Sequence, residues 1–211
     1  LKKCQWLKYD REKVIKILKD AGCSVDEETK LVRFPREIIE QSLRTVPKTI
    51  QIYDRNGNPS VNLGGGNTYV ASGHNAVYYH VIDDPERRPI TKQEVANFAL
   101  ISDSLENIHI VGIEAMPQDV KQRTSLVHAF DAVVNNTTKP IYWSPETNIE
   151  ASAIIEISKI VAGTEDLSKK PFSICQLSST SPLWWSTGAV EAVVNICQNG
   201  IPLAFLPQFP A

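Results

Sequence analysis

Pro171-Phe-Ser-Ile-Cys-Gln-Leu177 is a short, largely apolar run with two polar residues, Ser173 and Gln176, bounded by Lys169-Lys170 and a Ser/Thr cluster. That is how a buried strand reads. Three more stretches share its character: Ile108-His-Ile-Val111, Pro140-Ile-Tyr-Trp143 and Ile201-Pro-Leu-Ala-Phe-Leu206. Their starts lie roughly 30 residues apart, the length of one strand plus a crossover helix. Repetition at that period predicts a parallel, right-handed α/β arrangement. The helices between the strands are predicted at about 120–134, 150–162 and 188–198. A closed (β/α)₈ barrel takes eight such units and about 250 residues. Four are present here, the chain opens on Leu1 rather than Met, and the fourth unit lies just before Ala211. The expectation is a piece of a larger enzyme. It would comprise an N-terminal α+β cap over residues 1–90, then the first half of a TIM (β/α)₈ barrel over 91–211.

The cap reads as follows. Tyr9 to Ala21 carries Val14, Ile15, Ile17 and Leu18 on one stripe, with Gly22 as its C-cap. Cys23 to Phe34 reads as a hairpin around Asp26-Glu-Glu-Thr-Lys30. Pro35 opens a second helix with Ile38, Ile39 and Leu43 on its apolar face, and Pro47 ends it. Residues 49–82 are predicted β: Thr49–Tyr53, a turn at Asp54-Arg-Asn-Gly57, Val61–Leu63, Thr68–Ala71 and Asn75–Ile82, forming a small antiparallel sheet. Asp83-Asp-Pro-Glu-Arg-Arg-Pro89 reads as a polar linker. Thr91-Lys-Gln-Glu94 is a capping box that starts a helix running to about Asp103.

Bulk properties exclude several classes. The chain has 211 residues, 42% hydrophobic and 22% charged, which is ordinary for a soluble globular protein. A net charge of −2 gives no footprint for nucleic acid or an anionic membrane. No apolar run approaches 18 residues, and the charged start Leu1-Lys-Lys-Cys4 does not read as a signal peptide. The four cysteines, Cys4, Cys23, Cys175 and Cys197, form no C-x-x-C pair and match no zinc or cluster spacing. Cys175 and Cys197 read as small core residues, which suits a reducing cytoplasm.

In a (β/α)₈ barrel the site lies at the C-terminal ends of the strands. That rule selects Gly112–Met116, Trp143–Glu146, Ser178–Trp185 and Pro207–Phe209. Three of the four tryptophans, Trp143, Trp184 and Trp185, fall there. Tryptophans converging with a carboxylate hold a quaternary ammonium group on their ring faces, each worth about 0.5–2 kcal/mol. Glu114 or Glu146 would add charge, and His74, after Gly73 in a tight loop, would reach the same mouth. Each has a plainer reading: a strand-end Trp packed under the next helix, and a surface or structural His. Gly64-Gly-Gly66 lacks the spacing of a phosphate cradle and reads as a loop. No histidine pair has metal-ligand spacing, and no nucleophile motif or catalytic residue is legible. Arg87 and Arg88 read as solvated, or bound to a helix end.

Taken in order, a set of short stretches resembles the trimethylamine methyltransferase superfamily, whose members include pyrrolysine-containing trimethylamine enzymes and non-pyrrolysine relatives acting on glycine betaine. They are Ala21-Gly-Cys-Ser-Val25, Val32-Arg-Phe-Pro35, Thr45-Val-Pro47, Ile52-Tyr-Asp-Arg-Asn56, Gly64-Gly-Gly66, Arg87-Arg-Pro-Ile-Thr91, Asn107-Ile108, Lys139-Pro140, Ser181-Pro-Leu183 and Gly200-Ile-Pro202. The resemblance implies methyl transfer from a quaternary or tertiary amine to the Co(I) of a separate corrinoid (cobalamin) protein. No cofactor would be bound by this chain itself. It also implies a chain more than twice as long, with any pyrrolysine beyond Ala211. Two other readings compete: a non-catalytic half-barrel that binds a quaternary amine or docks a corrinoid protein, and another TIM-barrel enzyme with its chemistry in the missing half. An open sheet edge at the fourth strand predicts a homo-oligomer or a chain held by a partner.

Overall fold

The computed structural model describes residues 6–8, 12–82, 86–179 and 186–206. Strand β1 (Trp6–Lys8) is followed by helix α1 (Glu12–Asp20), β2 (Ser24–Val25), β3 (Leu31–Arg33) and α2 (Arg36–Thr45). Helix α1 buries Val14 and Ile15. It ends in the expected glycine cap: Gly22 sits at φ +92°, its N–H donating to Lys19 O and that of Cys23 to Leu18 O. The β2–β3 hairpin turns on Asp26, whose Oδ1 accepts from the backbone N–H of Glu28 and Thr29, and β1 joins the other side of β3. Helix α2 starts at Pro35 as expected but buries none of its residues, and Leu43 is 66% exposed.

Strands β4 (Thr49–Tyr53) and β5 (Pro59–Gly64) form an antiparallel hairpin around the predicted turn, where Gly57 has φ +82°. The glycines after it also take positive φ, and Gly64 approaches Lys48 O too closely for any Cβ. Residues 68–82 depart from expectation. Instead of continuing an antiparallel sheet, Ala71 and Ala76 bridge in parallel to Ile110 and Ala115. Backbone N–H groups of Ser72, Asn75 and Ala76 donate to the carbonyls of Ile110, Ile113 and Glu114. The segment therefore covers what would be a bare sheet edge. Beyond it, β6 (Tyr78–His80) pairs with β7 (Arg87–Pro89), so the end of the predicted linker is a strand. Arg87 stacks on Tyr78 and Arg88 on Tyr79, at 4.7 and 4.8 Å from the ring centres. These stacks draw two charged residues into an extended conformation that their composition does not favour.

The remainder alternates helix and strand: α3 (Lys92–Ser104), β8 (Val111–Gly112), a 3₁₀ turn at Gln122–Thr124, α4 (Ser125–Val134), β9 (Ile141–Trp143), α5 (Asn148–Ala162), β10 (Ser173–Ser178), α6 (Thr187–Gln198) and β11 (Leu203–Leu206). The four strands pair in parallel in the order β8-β9-β10-β11. This is a mixed α/β structure with a parallel sheet, compatible with part of a barrel. One face of the sheet packs on the helices through Val111, Ile113, Phe130, Ile141, Trp143, Ile154, Cys175 and Leu177. The other packs on the β4–β5 hairpin through Ile52, Val61, Ile110 and Ile174. Cys175 belongs to the core as read, and burial pushes its thiol well above the usual range. Cys197 does not: it lies exposed on α6, out of phase with buried Ile196.

Two helices begin with full capping boxes, Thr91/Glu94 and Thr147/Glu150. Glu94 has a second task. The Arg88 guanidinium forks onto it, and this contact, with the Thr91 bonds, holds its carboxyl down to about 2 from an ordinary 4.5. A depressed folded value contributes stability that is complete above the unfolded value and disappears as pH falls toward the folded one. Between pH 4.5 and about 2 the chain is expected to lose this contribution. Glu94→Gln is expected to remove it at neutral pH and flatten the acid limb. Melting temperature against pH for the two proteins measures this, and parallel acid limbs would refute it.

Candidate functional site

Strand phase decides what the C-terminal strand ends present. In β9 the side chains alternate, so Trp143 and Tyr142 point to opposite faces. Trp143 joins the helix-side core. It is 0% exposed, its ring meets Phe130 of α4 edge-on at 6.1 Å, and its indole N–H is buried without an acceptor among the described residues. Tyr142 lies on the hairpin side, paired in register with Gly112 of β8 and Ile174 of β10.

That face is apolar near the hairpin and polar above it. Tyr142 Oη donates to Gln176 Oε1, and Gln176 Nε2 donates to Ser178 Oγ at 3.2 Å. Gln176 is only 6% exposed, a buried amide whose partners are both on this face. Burial raises the Tyr142 phenol above its ordinary value, with Cys175 alongside adding to the effect. The His74 ring stands edge-on to the Tyr142 ring at 5.5 Å. The result is a line of side chains, His74, Tyr142, Gln176 and Ser178, across the C-terminal ends of adjacent strands. Ligands of open α/β sheets bind in that position.

Glu114 follows β8. Its Oε1 accepts from Ser72 Oγ at 2.7 Å and Ser102 Oγ at 2.8 Å, while Oε2 is buried without a donor among the described residues. Burial pushes this carboxyl above its usual range, against the lowering effect of the two serine hydroxyls. Glu146 is exposed; its backbone N–H donates to Glu150 Oε2 as part of the α5 cap. Trp184, Trp185 and the Pro207–Phe209 stretch lie outside the described residues. Of the six residues selected from sequence, the structure thus brings His74 onto the hairpin-side face, places Glu114 beside the loop that carries it, and buries Trp143 behind the sheet. Tyr142 and Gln176 were not selected, and Ser178 only as the first residue of the Ser178–Trp185 stretch. The signal for them was Gln176, a lone amide in an apolar strand, and the period-two spacing that sets Ser178 in phase with it.

Among the described residues no group of three or more His, Cys, Asp or Glu converges as a metal site, and no helix is long and apolar enough to cross a membrane. A cavity of about 350 Å³ lies toward the other strand ends, lined by Asp54, Arg55, Lys169, Lys170 and Phe172. Its charges are engaged: Lys169 with Asp166, Lys170 with Gly57 O, and Asp54 with Asn58.

Polar and aromatic side chains at the strand ends of a parallel α/β sheet stand where the ligands of such folds bind. The family model described as trimethylamine methyltransferase (MTTB) matches residues 7–209, so the chain belongs to that family. It is 28% identical over 204 residues to trimethylamine methyltransferase MttB of Desulfitobacterium hafniense strain DSM 10664 / DCB-2, covering 95% of this chain and 40% of that protein. It is 26% identical over 196 residues to a glycine betaine methyltransferase of D. hafniense strain Y51, covering 92% of this chain and 40% of the relative. With trimethylamine methyltransferase MttB of Methanosarcina thermophila it shares 28% identity over 202 residues, at 90% and 41% coverage. The chain therefore spans about 40% of the length of these curated relatives.

Proposed function

We propose that this chain forms part of a methyltransferase that takes a methyl group from a quaternary or tertiary amine, such as glycine betaine or trimethylamine, and delivers it to a corrinoid protein. The observation that carries the reading is the family match across residues 7–209. The four parallel strands in sequential order support a second element of the proposal: an N-terminal cap over 1–90 and four βα units of a (β/α)₈ barrel over 91–211. In this reading the hairpin-side face is the barrel interior, and β11, at the sheet edge, continues into further strands or meets a second copy.

A quaternary ammonium such as glycine betaine has no proton to lose, and a tertiary amine such as trimethylamine reacts as its N-protonated cation. In both, the N–CH₃ bond breaks with the electron pair staying on nitrogen, so the leaving group is a neutral amine. When bound, the partner's Co(I) corrinoid supplies the nucleophile. The work left to this chain is binding the cation, excluding water and aiming the methyl group, which is catalysis by positioning. Tyr142 offers the aromatic face, with His74 at its edge and Gln176 fixing the phenol. In this reading they take the part expected of Trp143, which is spent on packing.

Titration calorimetry of the chain with glycine betaine and trimethylamine tests the assignment. Binding is expected, weakened about 2- to 30-fold by Tyr142→Ala, the range of one cation–π face. Binding indifferent to Tyr142→Ala, or no heat from either amine, would move the amine site off this face.

A further inference from the structure

The loop that carries His74 does not follow the sheet on which it rests. Ser72 is tied to Ile110 O by its N–H at 3.1 Å, and the chain rejoins the sheet at Asn75, whose N–H donates to Ile113 O at 2.9 Å. Asn75 makes the return at φ +65°, left-handed backbone in which Asn is one of the few tolerated residues. Between these anchors the loop lies directly over Gly112. A Cβ built there would stand 2.5 Å from Gly73 O and 2.7 Å from Ser72 O. Such an approach is open only to glycine.

Ser72 is the hub. Its Oγ accepts the Gly112 N–H at 2.8 Å and donates to Glu114 Oε1 at 2.7 Å. The same carboxylate oxygen accepts from Ser102 Oγ of α3 at 2.8 Å. One atom of Glu114 therefore joins the loop to a helix on the far side of the edge strand. Keeping a carboxylate this buried is costly, more so with Oε2 lacking a donor among the described residues. A residue that only filled space would be apolar. The group that gains from the clamp is His74, two residues past Ser72, whose ring meets Tyr142 at 5.5 Å.

We propose that Glu114 is a positioning residue: through Ser72 it clamps the Ser72-Gly73-His74 loop across Gly112 and so seats His74 against Tyr142. The clamp itself stands on geometry alone; its consequence for amine binding rests on the proposed function.

The test uses the ring resonances of His74, assigned among the four histidines by their loss in His74→Gln. Tyr142→Leu supplies the value without the neighbouring ring. Glu114→Ala is expected to move the His74 resonances to that value. Glu114→Gln keeps a carbonyl acceptor for both serines and is expected to leave them at the parent position. A merely structural role would lower the melting temperature in both variants without this split. His74 unmoved in folded Glu114→Ala, or moved equally by Glu114→Gln, overturns the proposal. If Glu114→Ala does not fold, Ser72→Ala decides it: the resonances must move, and an unmoved His74 overturns the clamp. Glycine betaine affinity is then read on the same variants. An about tenfold or greater loss in Glu114→Ala, restored in Glu114→Gln, is expected where the loop lines the amine site. His74 moving with affinity unchanged would keep the clamp and remove this loop from the amine site.

Discussion

Trp143→Ala is expected to destabilise the chain by about 3–5 kcal/mol, the usual loss when a large buried aromatic is truncated. For a chain of this size that is a fall of about 6–20 °C in melting temperature. The ring has no exposed surface and packs against Phe130, so the vacated space is enclosed by α4 and its neighbours. Trp143→Phe is expected to cost much less. It keeps an aromatic ring against Phe130 and removes an indole N–H that has no acceptor among the described residues, whose burial carries its own penalty of about 1–3 kcal/mol. Scanning calorimetry of the three proteins gives the comparison. A Trp143→Ala variant that melts within about two degrees of the parent would show that the ring is not part of the core. Loss of amine binding in Trp143→Ala, followed at a temperature where the variant is part-unfolded, reports folding rather than contact.

Gly112→Ala is the next largest effect. The added methyl meets two backbone carbonyls that no rotamer change can move, so either the strand or the loop must yield. Overpacking of this sort costs about 1–3 kcal/mol. The loop is the softer partner, held by a hydroxyl and two end bonds, whereas Gly112 is buried in a paired strand. Lifting the loop takes His74 away from Tyr142. The variant is therefore expected to show both a lower melting temperature and the His74 ring resonances of the Tyr142→Leu protein. An unchanged melting temperature with His74 in its parent position would refute the close approach at Gly112.

Much of the architecture could be read from spacing and local chemistry. The 30-residue period placed all four parallel strands. Thr91 and Glu94 marked a helix start, Gly22 a helix end, and Asp54–Gly57 a hairpin turn. Strand phase was harder. In Ile141-Tyr-Trp143 every residue is apolar or aromatic, because a parallel sheet is covered on both faces, and hydropathy then gives no sign of which face is which. The largest aromatic drew the functional reading, and it faces the helices. Strand partners were also hard to read: Ala71 and Ala76 pair with the free edge at Ile110–Ala115, far along the chain, and not with their sequence neighbours. Arg87–Pro89 has the composition of a linker and becomes a strand through two ring stacks. The Thr147–Glu150 box was legible by the same rule as Thr91–Glu94. The apolar stripe of α2 correctly gave a helix, yet its burial did not follow, since Ile39 and Leu43 face outward.

The parallel bridges at Ala71 and Ala76 give the sheet a direction of growth. With that segment along β8, broken by its own loop and bound by isolated bridges, this side offers no continuous row of donors and acceptors to template another strand. β11, on the opposite side, pairs in parallel with β10 over Leu203–Leu206. During synthesis the segment emerges before every strand it accompanies, so one margin of the nascent sheet is closed as soon as β8 forms. A sheet closed first on that side is expected to grow in one direction, each new strand adding to the one made before it.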